Sequence, residues 1–216
     1  AERQTGGRGR RGRAWASPLA AHVYLSLARR FEGGLARLGG LSLVAGVAAC
    51  EALRGLGFAD VGLKWPNDLV VVDDSGLRKL GGLLVEGGGE VAGAARAVIG
   101  VGLNVRMPPQ GGDAIDQPWA ELAALSMQPP SRNTVVAALL ARLLPALDDF
   151  DAHGLAPFLP RYAALDALAG REITVHAATT TWTATAVGIA DDGALRVRDA
   201  AGAEHLVHAG DVSVRA

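Results

Sequence analysis

Lysine is nearly missing from this chain of 216 residues: of 21 basic side chains only Lys64 and Lys79 carry an ammonium, and the rest are arginines. Arginine, alanine and glycine abound, the mark of a composition bias that puts arginine wherever arginine serves. A lysine that persists under such bias is read as needed for its compact point charge, which a planar guanidinium cannot imitate at a crowded site. Cysteine is scarcer still. Cys50 stands alone among apolar residues, which excludes an intramolecular disulfide and predicts a buried structural thiol in a reducing, cytoplasmic setting.

A surplus of either charge is also lacking, since the formal net charge is -1. That excludes the broad basic field of a general nucleic-acid binder, and no nucleic-acid partner is expected. No signal peptide is evident. The uncharged run between Arg37 and Glu51 in the first third is too short to span a bilayer, so no membrane partner is expected. What is present is 50% hydrophobic and 20% charged, the composition of a globular protein able to bury a core.

Residues 22–31, "HVYLSLARRF", alternate Val23, Leu25 and Leu27 with Tyr24 and Ser26, a half-buried strand pattern. A largely apolar helix is predicted from Leu41 to Leu56, ended by Gly57. Residues 61–86 read as two short strands broken at Pro66, a turn at Asp73 to Gly76, and a returning strand from Lys79 to Glu86 that Gly87 to Gly89 stop. "ARAVIGVGLNV" is a buried strand, Pro108 to Pro118 a loop, and Trp119 to Leu125 a short helix. Ser131 or Asn133 caps a longer helix reaching Phe150, with Pro145 inside it. From about Gly170 five alternating segments are separated by turns such as Asp192-Gly193 and Ala201-Gly202, the texture of a small β-barrel. Few crossover helices join the strands, so an α+β fold with a mixed sheet is expected, not a doubly wound one. The expected division is residues 1–168 and 169–216.

Three stretches carry chemistry. "GGRGRRGRAW" puts Arg8, Arg10, Arg11 and Arg13 among glycines. Fixing eight such residues costs roughly 8 to 16 kcal/mol of backbone entropy, and three or four charge-assisted hydrogen bonds of about 1.5 to 3 kcal/mol each roughly offset it. The stretch is thus either a lid, mobile when empty, that orders over an anion with Trp15 anchoring its end, or a disordered RNA-binding tail. "KWPND" gathers Lys64, Asn67 and Asp68 at a Pro-fixed bend between strands, either a cleft-lining group or an exposed turn. "RKLGGLLVEG" starts a strand with Lys79, and Gly81 and Gly82 either make room for a ligand or serve sheet packing. "GVGLNV" lacks the third glycine and the following helix of a dinucleotide fingerprint. No phosphate-binding G-x-x-x-x-G-K-[ST] loop is present. His205 and His208, three apart on a predicted strand, make a poor metal pair, and Asp148, Asp149 and Asp151 read as a solvated helix end.

In this order and spacing, "GRGRRGRAW", "KWPND", "RKLGGLLVEG" and "GVGLNV" resemble the biotin protein ligase family (biotin–acetyl-CoA-carboxylase ligases), over nearly the whole chain. The resemblance implies a catalytic domain of class II synthetase type followed by a small SH3-like barrel. It also implies a two-step reaction: biotin and ATP, with Mg2+, give biotinyl-5'-AMP and pyrophosphate, and the biotinyl group then passes to a lysine of the biotin carboxyl-carrier domain of a biotin-dependent carboxylase. By resemblance, Gln4, Gly7 and Gly9 line the biotin pocket. Arg8, Arg10 and Arg11 order the lid and meet the carboxylate and phosphates. Lys79 lies between the biotin carboxylate and the α-phosphate, Gly82, Leu83, Gly100 and Gly102 wall the pocket, and Arg13, Trp15, Lys64, Asn67 and Asn104 hold the nucleotide. Asp68 is the candidate to orient the incoming lysine and take its proton. Metal ligands are not assigned, and a homodimer is left open. Members of the family carry an Asp-Ser-Thr-Asn type segment upstream of the arginine loop, which a chain starting at Ala1 does not include, so a fragment is expected. The alternatives are a lipoate-type ligase and a binding fragment that does not catalyse.

Overall fold

Residues 23–31 alternate between core and exterior, and the architecture follows from that strand. In the computed structural model, which describes residues 1–74, 76–89, 93–109, 112, 115–176 and 180–214, it forms β1 (Val23–Phe31). Its partners are β2 (Val61–Lys64), β3 (Asp68–Asp73), β4 (Gly76–Gly89) and β5 (Ala95–Leu103), in the order β1-β5-β4-β3-β2. Every ladder is antiparallel, where a mixed sheet is the sequence expectation. The reason is connectivity: β2 to β5 follow one another as a meander, and one helical connection separates β1 from them. Among the described residues parallel pairing outside the named strands is confined to the single bridges Leu63 with Asp166 and Lys79 with Trp119.

Helices α1 (Leu41–Gly55) and α2 (Arg132–His153) are in contact with each other and with strands of this sheet. Leu41, Val44, Val47 and Leu53 of α1 are fully buried, and its small residues let it lie close to the strands. A Cβ on Gly46 would come within 3.3 Å of Leu63. The stretch Leu35–Gly55 is long and apolar enough to cross a membrane by length and composition. In the fold, however, its helix packs into the protein core. Ser131 caps α2, its Oγ accepting the Thr134 N–H at 3.1 Å, a contact contributing about 1 kcal/mol. Val135, Leu139 and Leu143 repeat every four residues on its buried side. A short α3 (Leu159–Ala163) leads to a second sheet.

That sheet comprises β6 (Glu172–His176), β7 (Thr181–Ile189), β8 (Leu195–Arg198), β9 (Glu204–Val207) and β10 (Asp211–Val214), ordered β10-β6-β7-β8-β9. The expected turns are there: Gly193 and Gly202 hold φ of +88° and +87°, where a side chain would be strained. Its apolar face (Ile173, Val175, Ala186, Leu195, Val197) is continuous with the core of the first sheet. Trp65, buried at the end of β2, donates its indole N–H to the Gly193 carbonyl at 3.1 Å, tying the two sheets together.

Three local expectations are corrected. Gly87 to Gly89 do not stop β4 but pair with Ala97, Arg96 and Ala95 of β5, and a Cβ on Gly87 would strike Leu38 at 2.7 Å. Trp119 to Leu125 form no helix beyond a three-residue 3-10 turn at Leu122–Ala124, because the backbone there bonds sideways to Lys79 and Asn104. Asp148 and Asp151 are not merely solvated: Asp148 pairs with Arg29 at 2.7 Å, and Asp151 accepts the Glu32 N–H at 3.1 Å. Ser75 of the predicted turn, residues 110, 111, 113 and 114 of the predicted loop, and Ala177, Arg215 and Ala216 at segment ends lie outside the described residues.

His22, just before β1, is fully buried. Its Nδ1 accepts the Val105 N–H at 3.1 Å, so the ring is neutral with its proton on Nε2, which has no partner among the described residues. Burial pulls its pKa down from 6.5 to about 4. The unfolded chain therefore takes up a proton near pH 6.5 that the folded chain refuses until about 4. The stability associated with neutral His22 is complete above that window and drains away as pH falls through it. In urea titrations the unfolding midpoint should fall more steeply between pH 6.5 and about 4 for the parent than for His22→Gln. Parallel curves would contradict the assignment.

Candidate functional site

One register row crosses all five strands of the first sheet. Lys64 on β2 stands opposite Asp68 on β3, Asp68 opposite Gly82 on β4, Gly82 opposite Gly102 on β5, and Gly102 opposite Tyr24 on β1. Directly opposed residues point to the same face, the one opposite the buried Leu63, Leu69, Leu83 and Val101 side chains that pack in the helix-bearing core. The two glycines differ in what they permit. A Cβ on Gly102 would strike the Trp15 ring at 2.8 Å, so the indole lies directly on the backbone of β5. A Cβ on Gly82 would meet Lys79 Cε and Asp68 Oδ1 at ordinary contact distances of 3.5 and 3.6 Å, which keeps a gap beside the charged groups.

Both lysines converge on one carboxylate. Lys79 Nζ lies 2.7 Å from Asp68 Oδ1, and Lys64 Nζ lies 3.7 Å from Oδ2. Lys79 also sits 5.7 Å from the centroid of the Trp15 ring, within reach of its π face. Asp68 is 14% exposed and Lys79 18%. At such burial the desolvation of both ions cancels much of their attraction, so the pair fixes charge in place more than it stabilises the fold. Burial pulls the Lys64 pKa below the usual lysine value, with Asp68 opposing.

The arginine stretch is a hairpin, not an unstructured tail. Arg8 bridges Ala14, the Gly9 N–H donates to Arg13 O at 2.8 Å, and the Trp15 N–H donates to Gly7 O at 3.0 Å. Its tip needs left-handed backbone, with φ of +56° at Arg11 and +73° at Gly12. A Cβ on Gly7 would come within 3.0 Å of both Gln4 Oε1 and Trp15 O. Arg10 Nη1 donates toward Asn67 Oδ1 at 3.5 Å, Gly210 O at 3.3 Å and Asp211 Oδ1 at 3.3 Å. Arg11 lies 3.7 Å from Asp211 Oδ2, to which Arg13 donates as well. Burial lowers the Arg10 pKa and Asp211 works against that. Lys64, Lys79, Arg10, Arg11 and Arg13 thus gather around two carboxylates, Asp68 and Asp211, and the site carries a surplus of positive charge suited to an anion.

Arg10, Arg11, Arg13, Trp15, Lys64, Asn67, Asp68, Lys79, Gly82 and Gly102 are brought together; Gly100 lies on the same face two residues along, opposite Ser26 and Leu84. Asn67 links lid to sheet, since its Nδ2 donates to Leu83 O at 2.6 Å while its Oδ1 faces Arg10. Other assignments need correction. The Leu83 side chain is opposite Val101 and buried in the core, so Leu84, one residue on, occupies the glycine-lined face. Asn104 is buried with its amide donating to Ala120 O at 3.1 Å, and it fixes the backbone beside Lys79. Among the described residues the Arg8 side chain pairs with Glu86 alone, at 3.9 Å and largely exposed, roughly 13 Å along β4 from Gly82 at the rise of a strand. Gln4 is exposed, its N–H donating to Ser17 Oγ at 2.7 Å, and a Cβ on Gly9 would meet Arg13 O and Cβ at ordinary contact distances of 3.7 and 3.9 Å. Sequence reasoning missed Gly210 and Asp211, which no local motif marks, and Trp119. The latter is drawn beside the site because the Lys79 N–H donates to Pro118 O at 2.9 Å and the Ala120 N–H to Lys79 O at 2.8 Å.

Comparison with known proteins agrees with this geometry. Residues 1–104 match the model of the biotin/lipoate A/B protein ligase family, and residues 169–215 match the biotin protein ligase C-terminal domain. The bifunctional ligase/repressor BirA of Salmonella typhimurium is 45% identical over 175 residues, which cover 80% of this chain and 52% of that protein. The biotin–[acetyl-CoA-carboxylase] ligase of Paracoccus denitrificans is 33% identical over 210 residues, covering 94% of this chain and 84% of that one. A solved structure of the Aquifex aeolicus biotin protein ligase with biotin and ATP superposes with a TM-score of 0.79 at 25% identity, covering 99% of this chain and 86% of that one. The chain spans about half the length of the ligase/repressor relatives it matches. With the arginine hairpin, the Lys64–Asp68–Lys79 cluster and the second sheet all falling within the matched segments, the chain belongs to the biotin protein ligase family.

Proposed function

We propose that this chain is the catalytic part of a biotin–carboxyl-carrier-protein ligase, which joins biotin to ATP and passes the biotinyl group from biotinyl-5'-AMP to a carrier lysine. The observation that carries this reading is the convergence of five cations on the glycine-floored row of the first sheet. In the first step a carboxylate oxygen attacks the α-phosphorus and pyrophosphate leaves. Two anions must approach each other, and fixed positive charge has to stand where they meet. Lys79 supplies it from the sheet side and Arg10, Arg11 and Arg13 from the lid. Trp15 covers the row, and its buried Nε1 has no partner among the described residues, a donor left for a ligand acceptor. Mg2+ is implied by the family, but among the described residues no group of three or more His, Cys, Asp or Glu could hold a metal ion.

In the second step the carrier amine attacks the acyl carbon and AMP leaves. A free lysine near pKa 10.4 is roughly one part in 2,500 neutral at pH 7, so a carboxylate that receives the ammonium and takes its proton helps. Asp68, which lies between two resident ammonium groups, is our candidate for that role. Lys64, whose charge burial disfavours, is the partner that yields to the newcomer. The carrier is a biotin carboxyl-carrier domain. The lipoate alternative is disfavoured by the match of residues 169–215 to a biotin ligase domain.

Incubation with ATP, Mg2+, biotin and a carrier domain should label the carrier. Lys79→Ala should cut the rate about a hundred- to a thousandfold with the circular dichroism spectrum retained; full labelling by this variant would move the chemistry away from Lys79. Gly102→Ala should push Trp15 off the sheet, because the new Cβ falls 2.8 Å from its ring. A red shift of tryptophan emission that is absent in the Trp15→Phe background reports this, and affinity for biotinyl-5'-AMP should fall about tenfold. Unchanged emission and affinity would mean that the indole does not cover the site.

A further inference from the structure

We infer that Asp211, at the start of β10 in the second sheet, is a positioning residue that holds the arginine lid over the site. This rests on the ligase reading only for its catalytic consequence, not for the contact itself. Three guanidiniums from a four-residue turn reach one carboxylate roughly 200 residues away in sequence: Arg10 at 3.3 Å, Arg11 at 3.7 Å and Arg13 by a direct hydrogen bond. The neighbouring Gly210 carbonyl accepts from the same Arg10 nitrogen at 3.3 Å. Asp211 cannot swing freely with the lid. Its backbone pairs with His176 of β6, and the adjacent Val212 is buried in the core.

The charge arithmetic distinguishes holding from blocking. Each guanidinium carries five N–H donors, and a carboxylate offers about four acceptor positions. One Asp therefore cannot saturate three arginines, and most of their donors are left over for a ligand, with Arg10 also reaching Asn67 at 3.5 Å. Without the carboxylate, three like charges at the tip would repel one another and would also act on Lys64, whose surroundings include Arg13 and Asp211. The Arg11 backbone, at φ +56°, is a conformation that non-glycine residues rarely adopt unless their surroundings impose it. Asp211 supplies that constraint, and Arg10 then spans from Asp211 to Asn67 as a strut between the two sheets.

Two readouts on the intact chain test this. The first needs no ligase activity: trypsin, which cuts after arginine, should cleave the free protein at Arg10, Arg11 or Arg13 about tenfold faster in Asp211→Asn than in the parent, with the melting temperature little changed, and Asp211→Glu should restore most of the protection. The second is kinetic: Asp211→Asn should raise the KM for ATP about tenfold with a smaller fall in kcat. Unchanged trypsin cleavage would overturn the proposal whatever the enzyme does. Faster cleavage in a protein whose parent never labels a carrier would sink the ligase reading and leave the latch standing. Should Asn at 211 unsettle the second sheet, Arg11→Gln alters the same contact from the lid end, and faster cleavage after Arg10 or Arg13 is again the supporting result, equal cleavage the opposing one.

Discussion

The site depends on one carboxylate standing between two ammonium groups. Asp68 holds Lys79 at 2.7 Å and Lys64 at 3.7 Å, and without it two like charges, from the strands on either side of β3, would face each other in a partly desolvated place, where Coulomb repulsion is several times stronger than in water. The carboxylate does not cancel the pair; it fixes it and leaves a surplus. Register makes this possible. The β2–β3 bend at Trp65 and Pro66 returns the chain so that Lys64 and Asp68 are direct opposites, and the antiparallel ladder then lines up Gly82 and Gly102 behind them. A charged end and a floor without side chains are two parts of the same row.

That row would be open to water on its free face if the two ends of the chain did not meet over it. The arginine hairpin comes from the first residues and the carboxylate that steadies it from the last strand. The second sheet sits where it must because Trp65 bonds to Gly193 and because the apolar faces of both sheets share a core. The texture change near residue 170 therefore marks a change of sheet across which the core continues. It also explains why arginine serves in the lid and lysine in the floor. A guanidinium can reach Asp211, Gly210 and Asn67 at once through a fork of donors, whereas beside Gly82 the Lys79 ammonium acts as a compact point charge on Asp68.

Much of this was legible beforehand where a residue acts through its own chemistry or its immediate neighbours. The survival of two lysines among so many arginines pointed to the two groups that meet at Asp68, and alternation, glycine turns and the Ser131 cap located most elements. The failures share a cause. Leu83 and Leu84 differ by one step along a strand, and a slip of one residue exchanges the two faces. No local pattern distinguishes them. Asn104 looks like any polar residue after a strand, until the backbone of residues 118–122 folds against it and takes up its amide. Arg8 belongs to the arginine run yet lies outside the cluster, because the hairpin points it along β4 toward Glu86. Asp148 and Asp151 read as solvated because their partners lie on β1 and the segment after it.

By itself the sequence determined the kinds of charge, the element order, the turn positions and the motif set that identifies the family, since each of these rests on side-chain chemistry or on periods of a few residues. Only the tertiary structure decided which side chains share a face, that Trp15 lies on the backbone at Gly102, and that Asp211 closes on Arg10, Arg11 and Arg13. Contacts between groups separated by most of the chain are selected by how whole sheets pack, and the energy that selects them is shared over the core and not written in any short stretch.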